Sequence, residues 1–287
     1  MNQATIINRL TTGVPGLDEV LGGGLPEFSF NVIAGPPGCG KTTLAHQLMF
    51  ALAAPQRPAL YFTVLGEPPL KMLRYQQQFE FFDAESVNRS VHFVNLADDA
   101  LAGDLDQVLR RIAAEVQAHG PAFVFVDSFR SVALAGKCEG NPQHNLQQFV
   151  QQLGVLMTTW QATTFLVGEF FSEDDANPVF TVADGLIWLR QSLQRNSMVR
   201  KLEIRKMRGQ PTVPGLHTFR IGPAGIRVFA PQQVRSVPKP ASGAPPAARL
   251  LTGVAALDAM LGGGLPAGYS LLVAGPSGSG KSILAAS

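Results

Sequence analysis

Disulfide chemistry has almost nothing to work with in this chain. Its 287 residues include two cysteines, Cys39 and Cys138, which form no Cys-x-x-Cys pair and no framework of bridges. Cysteine this sparse fits a reducing, cytoplasmic setting. Long apolar runs are missing too, since no stretch approaches the ~20 residues of a membrane span. The opening MNQATIINRLTTG lacks the charged-then-apolar order of a secretory signal. No sign of charge dominates. Lys and Arg number 23 against 21 Asp and Glu, a net charge of +2, so the balance demands neither nucleic acid nor an anionic membrane. What is there is apolar: 46% of residues are hydrophobic and 15% charged. That is enough for a sizeable core, in one large domain or two ordinary ones.

The chain repeats itself once. RLTTGVPGLDEVLGGGLP from Arg9 returns as RLLTGVAALDAMLGGGLP from Arg249, and GPPGCGKT at 35–42 returns as GPSGSGKS at 275–282. Arg9 and Arg249 are 240 residues apart, as are Lys41 and Lys281. That spacing is a domain length, far beyond a solenoid period. Residues 249–287 therefore read as the first strand and loop of a second copy, which makes the chain a fragment or a truncated product. The expected organisation is one domain over 1–229, a linker over 230–248 and the start of a second domain over 249–287. The linker, APQQVRSVPKPASGAPPAA, carries five prolines and no periodic apolar pattern, as semi-extended segments do.

Within the first domain, short apolar runs alternate with amphipathic stretches. Strands are expected at 28–34, 59–64, 91–94, 122–127, 163–169 and 183–190, and helices at 42–53, 69–79, 104–118 and 143–161. This alternation predicts an α/β fold with a mostly parallel sheet covered by helices on both faces. Three further strands, at 200–204, 217–221 and 225–229, follow without helices and are expected to extend one edge in antiparallel fashion.

Residues 35–42 have the context of a phosphate loop, with a strand leading in and a helix leading out. Gly35, Gly38 and Gly40 let the backbone curl around phosphate oxygens, with Pro36, Pro37, Cys39 and Thr43 completing the loop and the helix start. The helix N-terminus adds its positive end. Lys41 is placed to reach the β- and γ-phosphates of ATP, and Thr42 to ligate Mg²⁺. Cys39 fits here simply as a small residue. The same electrostatic field nevertheless predicts a thiol below its free value of about 8.5, and alkylation that MgATP blocks.

In AFVFVDSFRS, Asp127 ends a buried strand at the edge where α/β sheets bind ligands. It reads as a Mg²⁺ ligand acting through water, or as a helix N-cap. Ser128 beside it is a candidate contact to the γ-phosphate. Glu67, just after the strand at 59–64, reads as the group that activates the attacking water if that strand lies beside the phosphate-loop strand. It reads equally as an acidic residue of a first helical turn. Glu169, at the end of another strand, is a second candidate near the phosphates. In VRKLEIRKMRG, strict alternation puts Arg200, Leu202, Ile204, Lys206 and Arg208 on one face. That face meets either a neighbouring subunit's phosphate, as an arginine finger does, or solvent.

Taken together, these stretches resemble the KaiC family of RecA-like ATPases, which includes a circadian clock kinase. The resemblance covers nearly the whole chain. TTGVPGLDEVLGGGLP matches the family's N-terminal signature, VDS its metal-binding strand end, and RKMRG its Lys-x-Arg-Gly segment. It implies a RecA-like P-loop fold, ATP bound between subunits of a homo-oligomeric, hexameric ring, and slow hydrolysis. It carries the catalytic glutamate to Glu67, Mg²⁺ ligation to Thr42 and Asp127, and contacts in trans to Arg200, Lys206 and Arg208. Tandem domains in the family account for the second copy. One departure matters: where the clock proteins have two adjacent glutamates, Gly66 takes the first place, which argues against vigorous hydrolysis. Ser/Thr autokinase activity would require a full second domain.

Two other functions compete. A RecA/RadA-type DNA-dependent ATPase shares the fold, yet the segment after Glu169, FFSEDDANPVF, is acidic where DNA needs positive charge. A nucleotide-gated module that binds ATP and an unidentified protein partner, without hydrolysing much, is favoured by Gly66.

Overall fold

The computed structural model describes residues 7–64, 69–101, 105–128, 142–170, 178–231 and 248–286. Gly66, Glu67, Cys138 and most of the proline-rich segment lie outside the described residues. The chain divides into two compact units, Met1–Pro231 and Gln232–Ser287.

The first unit opens with β1 (Arg9–Leu10), α1 (Leu17–Val20) and β2 (Leu25–Pro26), then β3 (Phe30–Gly35) and α2 (Lys41–Leu52). Next come β4 (Ala59–Thr63), α3 (Pro69–Gln76), β5 (Val91–Asn95), α4 (Ala97–Leu101), α5 (Leu105–His119) and β6 (Phe123–Asp127). After these follow α6 (Pro142–Thr159), β7 (Thr163–Glu169) and α7 (Pro178–Val182). Four strands close the unit: β8 (Gly185–Gln194), β9 (Ser197–Met207), β10 (His217–Gly222) and β11 (Gly225–Phe229). One sheet takes nine of these strands in the order β11-β10-β9-β8-β3-β7-β6-β4-β5. From β8 to β5 every pairing is parallel, and β8 to β11 are mutually antiparallel.

The central strands are apolar throughout because both faces are covered. Alternate residues feed two cores. Ile33, Tyr61, Phe125 and Phe165 pack with Leu44, Leu48 and Met49 of α2 on one face. Val32, Phe62, Val124 and Leu166 pack on the other with Val108, Ile112 and Val116 of α5 and with Leu153 and Met157 of α6. Val108, Ile112 and Val116 recur every fourth residue, so one stripe of α5 is buried. Each large side chain fully buried this way contributes roughly 1.5–3 kcal/mol.

The antiparallel edge is tied to the helical layer by Gln47. Its Oε1 accepts from Ile226 N at 2.6 Å and its Nε2 donates to Ile226 O at 3.2 Å. The edge also departs from strict alternation. Leu186 pairs with Lys206 but Ile187 with Ile204, so Arg205 is an extra residue, a β-bulge.

The Thr12–Pro26 signature folds as a small strand-helix-strand clasp. Asp18 Oδ1 accepts from Thr12 N at 2.9 Å, and Gln210 Nε2 donates to the Leu21 and Gly24 carbonyls at 2.6 and 2.7 Å. Gly16 is required here, since its φ is 78° and a Cβ would lie 2.0 Å from Val228 O. The second unit builds the same clasp by itself, from β12 (Arg249–Leu250), α8 (Ala255–Met260) and β13 (Leu265–Pro266), followed by α9 (Lys281–Ala286). There Asp258 Oδ1 accepts from Thr252 N at 2.8 Å. The strand expected after this second clasp is not formed: 269–274 carries no strand, and Leu272 is 88% exposed where Val32 is 1% exposed. A buried parallel strand needs partners on both sides. β3 has β7 and β8, while 269–274 has no such neighbours among the described residues.

The fold also takes His46 of α2 out of water. Neither ring nitrogen has a hydrogen bond of good geometry. Burial pushes its pKa down to about 3, only partly offset by the Gln76 side chain. The unfolded chain therefore binds a proton at His46 near pH 6.5 that the folded protein refuses until about pH 3. Stability at this residue is complete above pH 6.5 and is lost as pH falls toward 3, at up to about 1.4 kcal/mol per pH unit. Urea unfolding at pH 7 and pH 5 should show a larger drop for the parent protein than for His46→Leu, by about 2 kcal/mol. Equal drops would mean that His46 takes up its proton over the same pH range in the folded and unfolded states.

Candidate nucleotide site

β3 delivers the loop at 35–40 to the C-terminal edge of the parallel sheet. The loop has to be glycine-rich for steric reasons. Gly35 has φ 150°, and a Cβ there would sit 2.2 Å from Leu189 O. Gly40 has φ 104°, and a Cβ would sit 2.8 Å from Ile221 Cδ1. Lys41, nearly buried, donates from Nζ to the Pro36 carbonyl at 2.8 Å. Pro37 O accepts from Gln191 Nε2 at 2.9 Å, so β8 braces the loop. Gln191 has no motif of its own and is visible only once β8 is known to flank β3.

Parallel register brings the other groups to the same edge. Gly35 is level with Glu169, and Asp127 with Val167 on one side and Thr63 on the other. Asp127 faces α2. Its Oδ2 accepts two hydrogen bonds, from Thr42 Oγ1 at 2.9 Å and from Tyr61 OH at 2.7 Å. Burial pushes the Asp127 carboxyl up from its ordinary value; the Tyr61 and Thr42 donors and the Lys41 charge oppose this, and the Glu169 charge adds to it. Burial likewise pushes the Tyr61 phenol well up, reinforced by the neighbouring carboxylate. Ser128, largely buried, follows directly.

This donor set suits Mg²⁺. Thr42 and Asp127 offer hard oxygens, and no group of three or more His, Cys, Asp and Glu that could hold a metal exists among the described residues. A single hydroxyl and a single carboxylate are what Mg²⁺ takes from a protein when phosphates and water fill the rest of its shell. The N-cap alternative for Asp127 concerns residues after Ser128, outside the described residues.

Three expectations need correction. The strand carrying Tyr61 does not lie beside the phosphate-loop strand: β7 and β6 stand between β3 and β4. The premise that placed Glu67 against the γ-phosphate therefore fails, and Glu67 itself lies outside the described residues. The shared face of Arg200, Lys206 and Arg208 also fails, because the bulge at Arg205 reverses the alternation. Leu202 and Ile204 pack in the core with α2, whereas Lys206 Nζ donates to the Phe180 and Thr181 carbonyls of α7, at 3.1 Å each, beyond the opposite face.

The third correction concerns Cys39. Its side chain is fully buried among Ile33, Leu44 and their neighbours. Burial raises its pKa, and this outweighs the Lys41 and Arg200 charges and the loop N–H groups that lower it. The field acts in the expected direction, but loss of solvation is larger.

The basic residues divide between the two ends of β9. Arg200 pairs with Gln191, level with the phosphate loop, and its Nε is buried without a hydrogen-bond partner. Lys206 and Arg208 lie at the other end, where Gly185 pairs with Met207 and Arg208 NH1 meets Asp184 Oδ1 at 3.1 Å. At ~3.3 Å per residue this is roughly 20 Å from Arg200.

A Gly-rich loop, a helix N-terminus, a lysine and a carboxylate on a parallel sheet with an antiparallel extension define a P-loop ATPase of RecA-like fold. The KaiC ATPase family model matches residues 10–233 and again 250–287. The chain belongs to that family. It is 27% identical over 286 residues to the circadian clock oscillator protein KaiC of Prochlorococcus marinus (strain MIT 9313), covering 97% of this chain and 56% of that protein. Against the KaiC protein of Synechococcus elongatus (strain ATCC 33912 / PCC 7942 / FACHB-805) it is 26% identical, covering 97% of this chain and 54% of that one. The chain thus spans about half the length of these curated relatives. The crystal structure of a KaiC-like protein from Pyrococcus horikoshii OT3 superposes with a TM-score of 0.67 at 26% identity, over 78% of this chain and all of that one.

Two measurements test the site. Lys41→Ala should weaken ATP binding by about 100-fold, ~3 kcal/mol, through loss of charge-assisted bonds. Lys281→Ala should leave binding by the first unit unchanged. Calorimetric titration compares them, and parental affinity in Lys41→Ala would refute the assignment. Iodoacetamide should label Cys39 slowly in the folded protein, with or without MgATP, and quickly in urea. Fast labelling of folded protein, seen by mass spectrometry, would show that the thiol is exposed and ionised.

Proposed function

We propose that this protein binds MgATP between subunits of a homo-oligomeric ring, a hexamer, and hydrolyses it slowly. The nucleotide state then controls assembly with, or signalling to, a protein partner in the cytoplasm. The position of Lys206 and Arg208 carries this reading. Two cations at the far end of β9 from their own phosphate loop are too distant to serve it, and a contact with phosphate requires a loop from another copy. Family membership supports nucleotide binding. Among the described residues no helix is long and apolar enough to cross a membrane.

The geometry of the described residues supports the following roles. Loop N–H groups and Lys41 would bind the β- and γ-phosphates. Thr42 and Asp127 would hold Mg²⁺, which draws charge from the phosphates when bound. Glu67 would orient the attacking water, a role that rests on family membership and not on strand order, and Glu169 and Ser128 are further polar groups at that edge. Arg200 stands level with its own loop, so its part is in cis, in contrast to Lys206 and Arg208. Lys206 has first to leave the α7 carbonyls; there burial, then the Arg208 charge, pulls its pKa down, opposed by Asp184.

Gly66 supports a second reading, a nucleotide-gated module with little turnover. Single-turnover hydrolysis, measured with and without single-stranded DNA, separates the two from each other and from a DNA-dependent ATPase. Replacing both Lys206 and Arg208 with Ala should lower hydrolysis roughly 10³-fold, the scale of a lost arginine finger, with each subunit still folded. Mixing that variant with Glu67→Gln should restore part of the activity, since an intact carboxylate and an intact finger meet at some interfaces. No recovery, in mixed rings confirmed by native mass spectrometry, would refute action in trans.

A further inference from the structure

Tyr61 belongs to no motif, yet it is the residue most closely engaged with Asp127. It sits in the middle of β4, fully buried, with Phe93 of β5 and Phe125 of β6 at its sides. Three rings hold it: His46 at 4.5 Å, Phe93 at 5.5 Å and Phe125 at 5.9 Å between centroids. The phenol therefore has one orientation, and its hydroxyl meets Asp127 Oδ2 at 2.7 Å. A buried phenol hydroxyl needs such a partner.

Helix α2 approaches the same pair from two points. Thr42 and His46 are four residues apart and share a helix face. Thr42 donates to the oxygen that Tyr61 also holds, and His46 packs on the Tyr61 ring. Both hydroxyls meet at Oδ2. A hydroxyl has one proton to donate and two lone pairs. Thr42 can thus keep donating to Asp127 while its oxygen ligates a cation, provided the carboxylate stays where it is. A carboxylate at a strand end is otherwise free to turn about its last torsion, which is broad.

We propose that Tyr61 is a positioning residue of the metal–nucleotide site: clamped by His46, Phe93 and Phe125, its hydroxyl fixes the Asp127 carboxylate against Thr42 and leaves the second carboxylate oxygen for the shell of a divalent cation. This rests on residues 35–42 and Asp127 being the nucleotide site. Tyr61 touches neither nucleotide nor cation, so its effect is on the cation that Asp127 holds and not on the phosphates that the loop holds.

The test is the Mg²⁺ dependence of binding, which needs no turnover. A fluorescent non-hydrolysable ATP analogue is titrated into the full chain at a series of Mg²⁺ concentrations and again in EDTA. Tyr61→Phe should raise the half-saturating Mg²⁺ by about tenfold, the scale of one hydrogen bond to a charged group, and change affinity in EDTA less than twofold. Leu153→Ala removes apolar volume from the core on the other face of the sheet and leaves the ring clamp intact, so it should lower the melting temperature and leave the Mg²⁺ midpoint in place. If Tyr61→Phe does not fold, Tyr61→Met removes the hydroxyl in a flexible apolar side chain and is compared in the same way. An unchanged midpoint without the hydroxyl overturns the proposal. So does an equal loss of affinity in EDTA, or a midpoint shift in Leu153→Ala as large as in Tyr61→Phe. If the parent protein shows no Mg²⁺-dependent binding, the nucleotide-site assignment itself fails, and the role of Tyr61 with it.

Discussion

A carboxylate taken out of water and still required to act as an acceptor is the constraint around which the first unit is arranged. Asp127 ends β6, an interior strand between β7 and β4, where burial alone favours its neutral form. Two hydroxyls and the Lys41 charge work against that. They come from two elements: Thr42 and Lys41 from the first turn of α2, and Tyr61 from β4. The sheet order, the seating of α2 and the aromatic cluster beneath it must all be right for the three to converge. The same seating places the loop, because α2 begins where the loop ends. Gln47 then fastens the helix to the antiparallel edge, and Gln191 fastens that edge to the loop. Packing and site are here one set of contacts.

Much of this was legible in the chain itself. Apolar runs separated by amphipathic stretches located the nine strands of the large sheet and the four longest helices to within a few residues, because parallel strands covered on both faces cannot be polar; the short β1, α1, β2, α4 and α7 were not expected. The phosphate loop was legible because its glycines are demanded by backbone geometry, and Asp127 because it interrupts an apolar run at its end. Strand order was not legible. A strand-helix-strand unit can lay its next strand on either side, and nothing in ALYFTV says that two other strands will separate it from FNVIAG. Tyr61 was hidden for a related reason: an aromatic residue in a buried strand looks like core, and only the pairing of β4 with β6 brings its hydroxyl to a carboxylate.

Two misreadings share a physical origin, since each took one effect without its competitor. For Cys39 the positive field of the loop was weighed and desolvation was not. For VRKLEIRKMRG the two-residue period was applied without a bulge. The first is a question of magnitude that depends on burial, which a sequence does not display. The second depends on one extra residue in β9, Arg205, set opposite the step from Leu186 to Ile187 of β8, a local event with no signature in the sequence of either strand.

That bulge has a consequence for how sequences of this kind are to be compared. Arg205 is the residue that allows Ile204 and Lys206 to point to opposite faces while lying two apart. Loss of that residue would restore ordinary pairing and leave both faces as they are, since Lys206 would still lie opposite Leu186. Closing the bulge with Arg205 kept would instead exchange the two faces beyond it. A lysine that now reaches α7 would turn toward the other core, and the whole Lys-Met-Arg-Gly run would change address without one of its letters being altered. At this point in the chain, a one-residue gap in an alignment is a structural statement.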